Sequence, residues 1–182
     1  MADNELSERK NIRLKDYDYS SPGAYFIKIC THDKTTTFGE VGDSGIVLST
    51  LGEMVLDEWI HCEAIREEIE LDEFVVMPDH FHGIVAIHEV GATGWSPERE
   101  TPGSRKRFGP KRRSLGSLIA GFKSSVSSRI NRFRGTPGKP VWQRGYYEHV
   151  IRNPYDLENL CNYILKNPWK LRELIRTEKF GR

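Results

Sequence analysis

Two histidines stand one residue apart in Met77-Pro-Asp-His-Phe-His-Gly83. On a strand, residues i and i+2 point to the same face, about 6–7 Å apart along the chain. His80 and His82 then converge on one side while Phe81 packs into the other. Imidazole is the commonest metal ligand, and a sheet holds it more rigidly than a loop does. The spacing admits a metal pair, and it equally admits ordinary polar or packing roles. A second pair lies in Tyr163-Ile-Leu-Lys-Asn167. Positions i and i+4 on a helix are neighbours on one face, so a phenol and a carboxamide are presented side by side. The phenol offers a nucleophile and the amide oxygen a third, hard ligand. A tyrosine at the edge of the core beside a C-terminal Asn cap accounts for the same residues.

A third segment alternates aromatic and basic residues: Pro140-Val-Trp-Gln-Arg-Gly-Tyr-Tyr-Glu-His-Val-Ile-Arg-Asn153. Arg144 and Arg152 can bind phosphates, and Trp142, Tyr146 or Tyr147 can stack bases. A strand that buries its aromatics is the alternative. The net charge of +1 hides an asymmetry. Eleven basic residues and no acid lie between 101 and 140, among them Arg105, Lys106, Arg107, Lys111, Arg112 and Arg113. The acids concentrate elsewhere, as in 53–73. Such a one-signed stretch attracts polyanions; a solvated basic loop is the plainer reading.

The elements that must position these groups follow from periodicity. Residues 24–30 are aromatic and β-branched and read as a strand. Gly39, Gly42, Asp43 and Gly45 punctuate a stretch that suits a small hairpin. Thr50 and Glu53 have the spacing of a capping box, followed by Leu51, Val55, Trp59 and Cys62 at helical spacing, which predicts a helix over about 51–67. Residues 69–77 and 80–88 read as two strands joined by a turn at Pro78-Asp79. Segment 89–110 is the longest unstructured candidate, and loops of that length are usually functional or disordered. Ser114 caps a helix whose apolar face is Leu115, Leu118, Ile119, Phe122, Val126, Ile130 and Phe133, and Gly135 ends it. Residues 141–151 read as the fourth main strand. Asn153-Pro154 opens a last helix with the stripe Leu157, Leu160 and Ile164, running to Asn167, where Pro168 blocks continuation.

In order this is β-α-β-β-α-β plus a final helix, an α+β chain of ferredoxin-like pattern with an antiparallel sheet. The expected organisation is a polar arm over 1–20, a catalytic domain over 21–170 with a basic loop at 89–113, and a tail over 171–182. The 182 residues suit one domain, with 37% hydrophobic and 29% charged residues. No run approaches about 18 apolar residues, which predicts no membrane span. The polar N-terminus lacks the apolar core of a signal peptide, which predicts a cytoplasmic protein. Cys30, Cys62 and Cys161 are odd in number and without C-x-x-C spacing, and read as reduced thiols.

From about Ile12 to Lys170 the chain resembles the single-tyrosine HUH transposases, in particular the REP-associated tyrosine transposase branch. The resemblance rests on the order and separation of several segments: the one from Arg13 to Ile27, Met77-Pro-Asp-His-Phe-His82, Trp142-Gln143, Glu148-His-Val-Ile-Arg-Asn153, and Tyr163-Ile-Leu-Lys-Asn-Pro168. The family pattern is His-hydrophobic-His, then a nucleophilic Tyr on a helix with a further metal ligand four residues on. His80, His82, Tyr163 and Asn167 match it; the last ligand varies between branches and is Gln in some. The basic insert before Ser114 and the N-terminal arm depart from the shared core.

The resemblance implies a transposase that cleaves and rejoins single-stranded DNA bearing hairpin repeats. Tyr163 would form a 5′-phosphotyrosine intermediate and leave a free 3′-hydroxyl, with Mg²⁺ or Mn²⁺ at the two histidines and Asn167. A free phenol has a pKa of about 10, so a base is needed; the sequence does not name it, and His149 is one candidate. A monomer and a homodimer both remain open, because some relatives exchange the Tyr helix between subunits. Two rival readings stand beside this one. A different His-x-His metal hydrolase usually needs more His, Asp or Glu nearby, and His88 and Glu89 are the close candidates. A non-catalytic repeat-DNA-binding protein derived from a transposase would keep the fold without turnover.

Overall fold

The computed structural model describes residues 17–42, 45–89 and 112–180, with side chains up to residue 173. The 1–20 arm up to residue 16, and the part of the basic loop holding Arg105, Lys106, Arg107 and Lys111, lie outside the described residues. In chain order the elements are β1 (Gly23–Cys30), β2 (Gly39–Gly42), β3 (Gly45–Leu48), α1 (Thr50–Ile65), β4 (Ile69–Val76), β5 (His80–Ile87), α2 (Leu115–Arg134), β6 (Tyr147–Ile151) and α3 (Pro154–Phe180). The main sheet is antiparallel in the order β4-β5-β1-β6, and β2-β3 form a separate hairpin. Each β-α-β unit therefore crosses over one strand, which is the ferredoxin-like topology the sequence predicts, with the small hairpin inserted before α1.

Alternation along the central strands sends side chains to two different layers. Tyr25, Ile27 and Ile29 of β1 and Phe81 and Val85 of β5 pack with Trp59 of α1 and Phe122 of α2 in the main core. The Trp59 ring lies 4.8 Å from Phe81 and 5.2 Å from Phe122. On the opposite face Phe26 and Ile84 form a smaller cluster with Ile164 of α3. The last helix thus lies across the face that α1 and α2 leave free. A register shift between Leu71 and Phe74 lets Ile69 and Leu71, then Phe74 and Val76, contact the main core, so simple alternation fails in β4.

Several local expectations are corrected. The cap of α1 is Ser49, one residue before Thr50, and its hydroxyl accepts from the Gly52 amide. Tertiary contacts choose it: the Ser49 amide donates to the Phe38 carbonyl at 3.0 Å and its hydroxyl donates to the Thr37 carbonyl at 2.8 Å. Phe133 is 61% exposed and leaves the apolar face of α2, which ends at Ile130. The fourth strand is Tyr147–Ile151, not 141–151. Thr31 bridges Trp142 while Lys28 pairs with Tyr147, so five residue steps face three and the chain must bulge. Lys123 holds the bulge by donating to the carbonyls of Gln143 and Gly145, each at 2.8 Å. Finally, α3 does not stop at Asn167 but runs through Pro168 to Phe180. A proline already has a helical φ and forfeits one hydrogen bond; the next turn is kept in contact, with Lys170 Nζ 5.5 Å from the centre of the Tyr163 ring. The Ser114 cap and the Gly135 end match expectation; Ser117 adds a capping box, and Gly135 is left-handed at φ 64°. Among the described residues no helix is long and apolar enough to cross a membrane.

Close packing at the start of α1 yields a test. A Cβ on Gly52 would stand 2.0 Å from the Phe38 carbonyl oxygen, whereas one on Gly121 of α2 would meet only the Arg66 guanidinium at 3.5 Å. Gly52→Ala should lower stability by about 2 kcal/mol through overpacking, and Gly121→Ala should raise it by about 0.5–1 kcal/mol. Urea midpoints of the two variants check this; equal midpoints would contradict the packing described.

Candidate active site

β5 lies between β4 and β1, and its even-numbered residues face α3. His82 is fully buried there, with its ring stacked on Phe26 at 5.4 Å and perpendicular to His80 at 4.5 Å. Asn153 caps α3 by accepting from the Asp156 amide at 2.9 Å, Pro154 takes the first helical position, and Ile164 is buried against the sheet. That anchor sets the two residues of interest on the sheet-facing side. The Tyr163 ring stands edge-on to His82 at 5.3 Å and to Phe26 at 6.0 Å, and is 37% exposed. The Asn167 amide reaches the Nε2 atom of His82 at 3.2 Å. The structure therefore brings His80, His82, Tyr163 and Asn167 of one chain together.

The two imidazoles are held as neutral bases. Burial is the main cause for both. It pushes His82 down to about 2, with the charges of His80 and Lys28 adding to the effect. His80 is lowered by burial and by Lys28, against the opposing pull of Asp79. The Asp79 carboxylate accepts from His80 Nδ1 at 2.5 Å, which leaves Nε2 as the lone-pair nitrogen. Among the described residues that atom is buried without a partner, as is Nδ1 of His82. A carboxylate behind a histidine is the usual way to orient a metal-binding ring and raise its basicity.

Among the described residues no three His, Cys, Asp or Glu side chains are placed to share an ion. The donor set is two imidazoles and one amide, whose oxygen and nitrogen ends are nearly isosteric. Its chemistry fits an open site completed by phosphate and water rather than a closed structural one.

A cavity of about 480 Å³ opens beside this group, lined by Phe26, Lys28, His82, Tyr147, His149, Asp156, Leu160 and Tyr163. His149 Nε2 is 2.9 Å from the Asp156 carboxylate. That contact chiefly holds the Asp156 carboxyl below its usual range, with help from the Arg152 amide. Of the predicted DNA-binding residues, Arg112, Arg113, Arg144 and Arg152 are exposed and none lines the cavity. Sequence reading missed Lys28, Asp79 and Asp156. A signal existed for the first: Lys28 interrupts an apolar strand at a position that shares the face of Phe26. Asp79 read only as a turn residue, and Asp156 was not singled out.

No protein-family model matches the chain. A Haemophilus influenzae protein of uncharacterised function is 33% identical over 163 residues, covering 90% of this chain and 89% of that one. The two belong to one family. A REP-associated tyrosine transposase, solved bound to a REP hairpin, superposes with a TM-score of 0.52 at 20% identity, covering 87% of this chain and 73% of that chain. The family therefore has the fold of a REP-associated tyrosine transposase. A candidate transposase from Deinococcus radiodurans matches more loosely, with a TM-score of 0.41 at 14% identity over 85% of this chain and 95% of that one.

The neutral buried imidazoles make stability depend on pH. Below the ordinary imidazole value of 6.5 the unfolded chain takes up protons that the folded His82, lowered to about 2, refuses. Stability is therefore full above about pH 6.5 and falls below it, by about 1.4 kcal/mol per pH unit for such an imidazole. Melting temperatures of metal-free protein should drop between about pH 7.5 and 5.5, and His82→Gln should flatten that drop. Equal pH dependence in the two proteins would refute the assignment.

Proposed function

We propose that this chain is a metal-dependent DNA transposase whose Tyr163 nicks and rejoins single-stranded DNA carrying hairpin repeats. The observation that carries this reading is the convergence of Tyr163, His82, His80 and Asn167 on one face of the sheet, with His82 and Tyr163 lining one cavity. The shared fold with a transposase that binds a REP hairpin supports it.

His80, His82 and Asn167 would hold Mg²⁺ or Mn²⁺. When bound, the ion supplies Lewis-acid stabilisation of charge on the phosphate. The chain's own residues do the rest. The Tyr163 phenol is accessible at the rim and is aimed by its contacts with His82 and Phe26. Its oxygen attacks phosphorus, forming the phosphotyrosine bond as the bond from phosphorus to the 3′-oxygen breaks. The phenol proton passes to a base, and the leaving 3′-oxygen takes up a proton. His149, oriented by Asp156, is the imidazole that lines the cavity and can exchange that proton. The bond energy is conserved in the intermediate, so attack by a 3′-hydroxyl reverses the step and joins strands without ATP. Tyr163 lies beside His82 of its own chain, which supports attack within one copy; a homodimer that exchanges the Tyr helix is the other arrangement. Arg112, Arg113, Arg144 and Arg152 would bind the phosphate backbone outside the cavity, and the basic residues Arg105, Lys106, Arg107 and Lys111 would add phosphate contacts.

The decisive experiment incubates the protein with hairpin-bearing single-stranded oligonucleotides, with and without Mn²⁺. A denaturant-resistant adduct that maps to Tyr163 by peptide mass and requires the metal is expected. Tight binding without an adduct would favour the non-catalytic DNA-binding module instead. Tyr163→Phe should abolish the adduct and leave binding within about twofold; residual nicking in that variant would sink the nucleophile assignment. His80→Ala should slow adduct formation by about 10–100-fold and raise the Mn²⁺ concentration required. An unchanged rate and metal requirement would count against the ligand set.

A further inference from the structure

The cavity beside Tyr163 contains a cation that neither the metal set nor the nucleophile explains. Lys28 sits near the middle of β1, with His82 as its register partner on β5 and Tyr147 as its partner on β6. All three side chains point to the face covered by α3, and all three line the cavity with Tyr163. Neighbouring strands lie about 5 Å apart, so the lysine stem rises directly beside the His82 ring. Lys28 is half-buried. Its charge bears on both imidazoles, lowering each.

Among the described residues the Lys28 ammonium has no hydrogen bond or ion pair, although its backbone is in the sheet. The one carboxylate lining the cavity, Asp156, is already engaged by His149 at 2.9 Å and by the Arg152 amide at 3.3 Å. A half-buried ammonium without a counter-charge, next to residues suited to hold a divalent cation, is unfavourable by itself. An anion entering the cavity removes the conflict. It would sit between the ammonium and the two imidazoles, within the space that Tyr163 borders.

We propose that Lys28 is the phosphate-gripping residue of this site, its ammonium holding a non-bridging oxygen of the phosphodiester that Tyr163 attacks. The assignment rests on the proposed DNA chemistry for the identity of the anion. In this role Lys28 orients phosphorus toward the phenol and offsets the charge that builds on the phosphoryl oxygens as Tyr163 attacks. Unlike the exposed arginines, it touches the reacting group, so its loss shows in the rate as well as in affinity.

The test compares wild type, K28Q and K28R on a fluorescent hairpin-bearing single-stranded oligonucleotide. Binding is followed by anisotropy across a salt series, and adduct formation is followed with Mn²⁺ under single-turnover conditions. One lost phosphate contact should reduce the slope of log affinity against log salt by about 0.7 in K28Q. Adduct formation in K28Q should slow by about 100-fold, and K28R should restore the slope and most of the rate. If K28Q does not fold by circular dichroism, K28M keeps the apolar stem and carries the same comparison. A salt slope equal to wild type in the neutral variant overturns the proposal, whatever the adduct does. A reduced slope in a protein that forms no adduct keeps the phosphate contact and removes the tyrosine chemistry. The absence of any binding by wild type would overturn both.

Discussion

Everything in this molecule turns on the two-residue period of β5. Phe81 enters the main core against Trp59 and Phe122, and that burial forces His80 and His82 to the other face. A slip of one residue would exchange the two sets, placing two imidazoles in the core and a phenyl ring in the site. The slip is resisted on both sides, because β5 is hydrogen-bonded to β4 and to β1. Gly83 sharpens the constraint: a Cβ there would stand 3.0 Å from the Phe81 ring and 3.1 Å from Trp59. Core packing and site geometry are one decision, taken by the same strand.

The second layer follows from what the ferredoxin-like sheet leaves uncovered. Two helices cover one face, so a site built on the other face needs a further element to shield it from water. α3 fills that role through the small cluster of Phe26, Ile84 and Ile164. Its shielding is what depresses the basicity of the histidines, and its exposed rim is what keeps the phenol accessible. Burial and access therefore come from one helix. The Asp79 carboxylate completes the arrangement by fixing which nitrogen of His80 carries the proton.

Much of this was legible in the chain itself. Alternation in 80–88, the helical stripes of Val55, Trp59 and Cys62 and of Leu118, Phe122 and Val126, and the Asn153-Pro154 start are local signals, and local physics satisfies them. The convergence of His80, His82, Tyr163 and Asn167 was readable through family resemblance, since period and spacing alone left other roles open for each pair. Apart from Phe133, which ends up exposed, the misreadings share one cause: a tertiary contact outweighed a local rule. Ser49 displaced Thr50 as the cap because the Thr37 and Phe38 carbonyls engage it. Residues 143–146 left the strand because Lys123 draws two of their carbonyls toward α2. Pro168 failed to end α3 because a proline costs a helix one hydrogen bond and a steric clash, and packing on either side can outweigh both. Asp156 was invisible as a site residue because its partner His149 lies on another element, and the interruption of β1 by Lys28 gained meaning only once its strand neighbours His82 and Tyr147 were known, since a single sequence does not say which strands pair.

The cluster around Ile164 also governs the chemistry at a distance. Successive residues on a helix are rotated by about 100°, so seating Ile164 in the cleft leaves Tyr163 at its edge and not inside it. Asn167, one turn further along, returns to the sheet beside His82. The separation between nucleophile and ligand set is thereby fixed by an apolar contact that touches no reacting atom. Attack on a phosphodiester demands an in-line approach, and sub-ångström displacement is costly in rate. A rigid sheet for the ligands and a helix pinned by one buried isoleucine for the nucleophile meet that demand with the phenol still open to a strand of DNA.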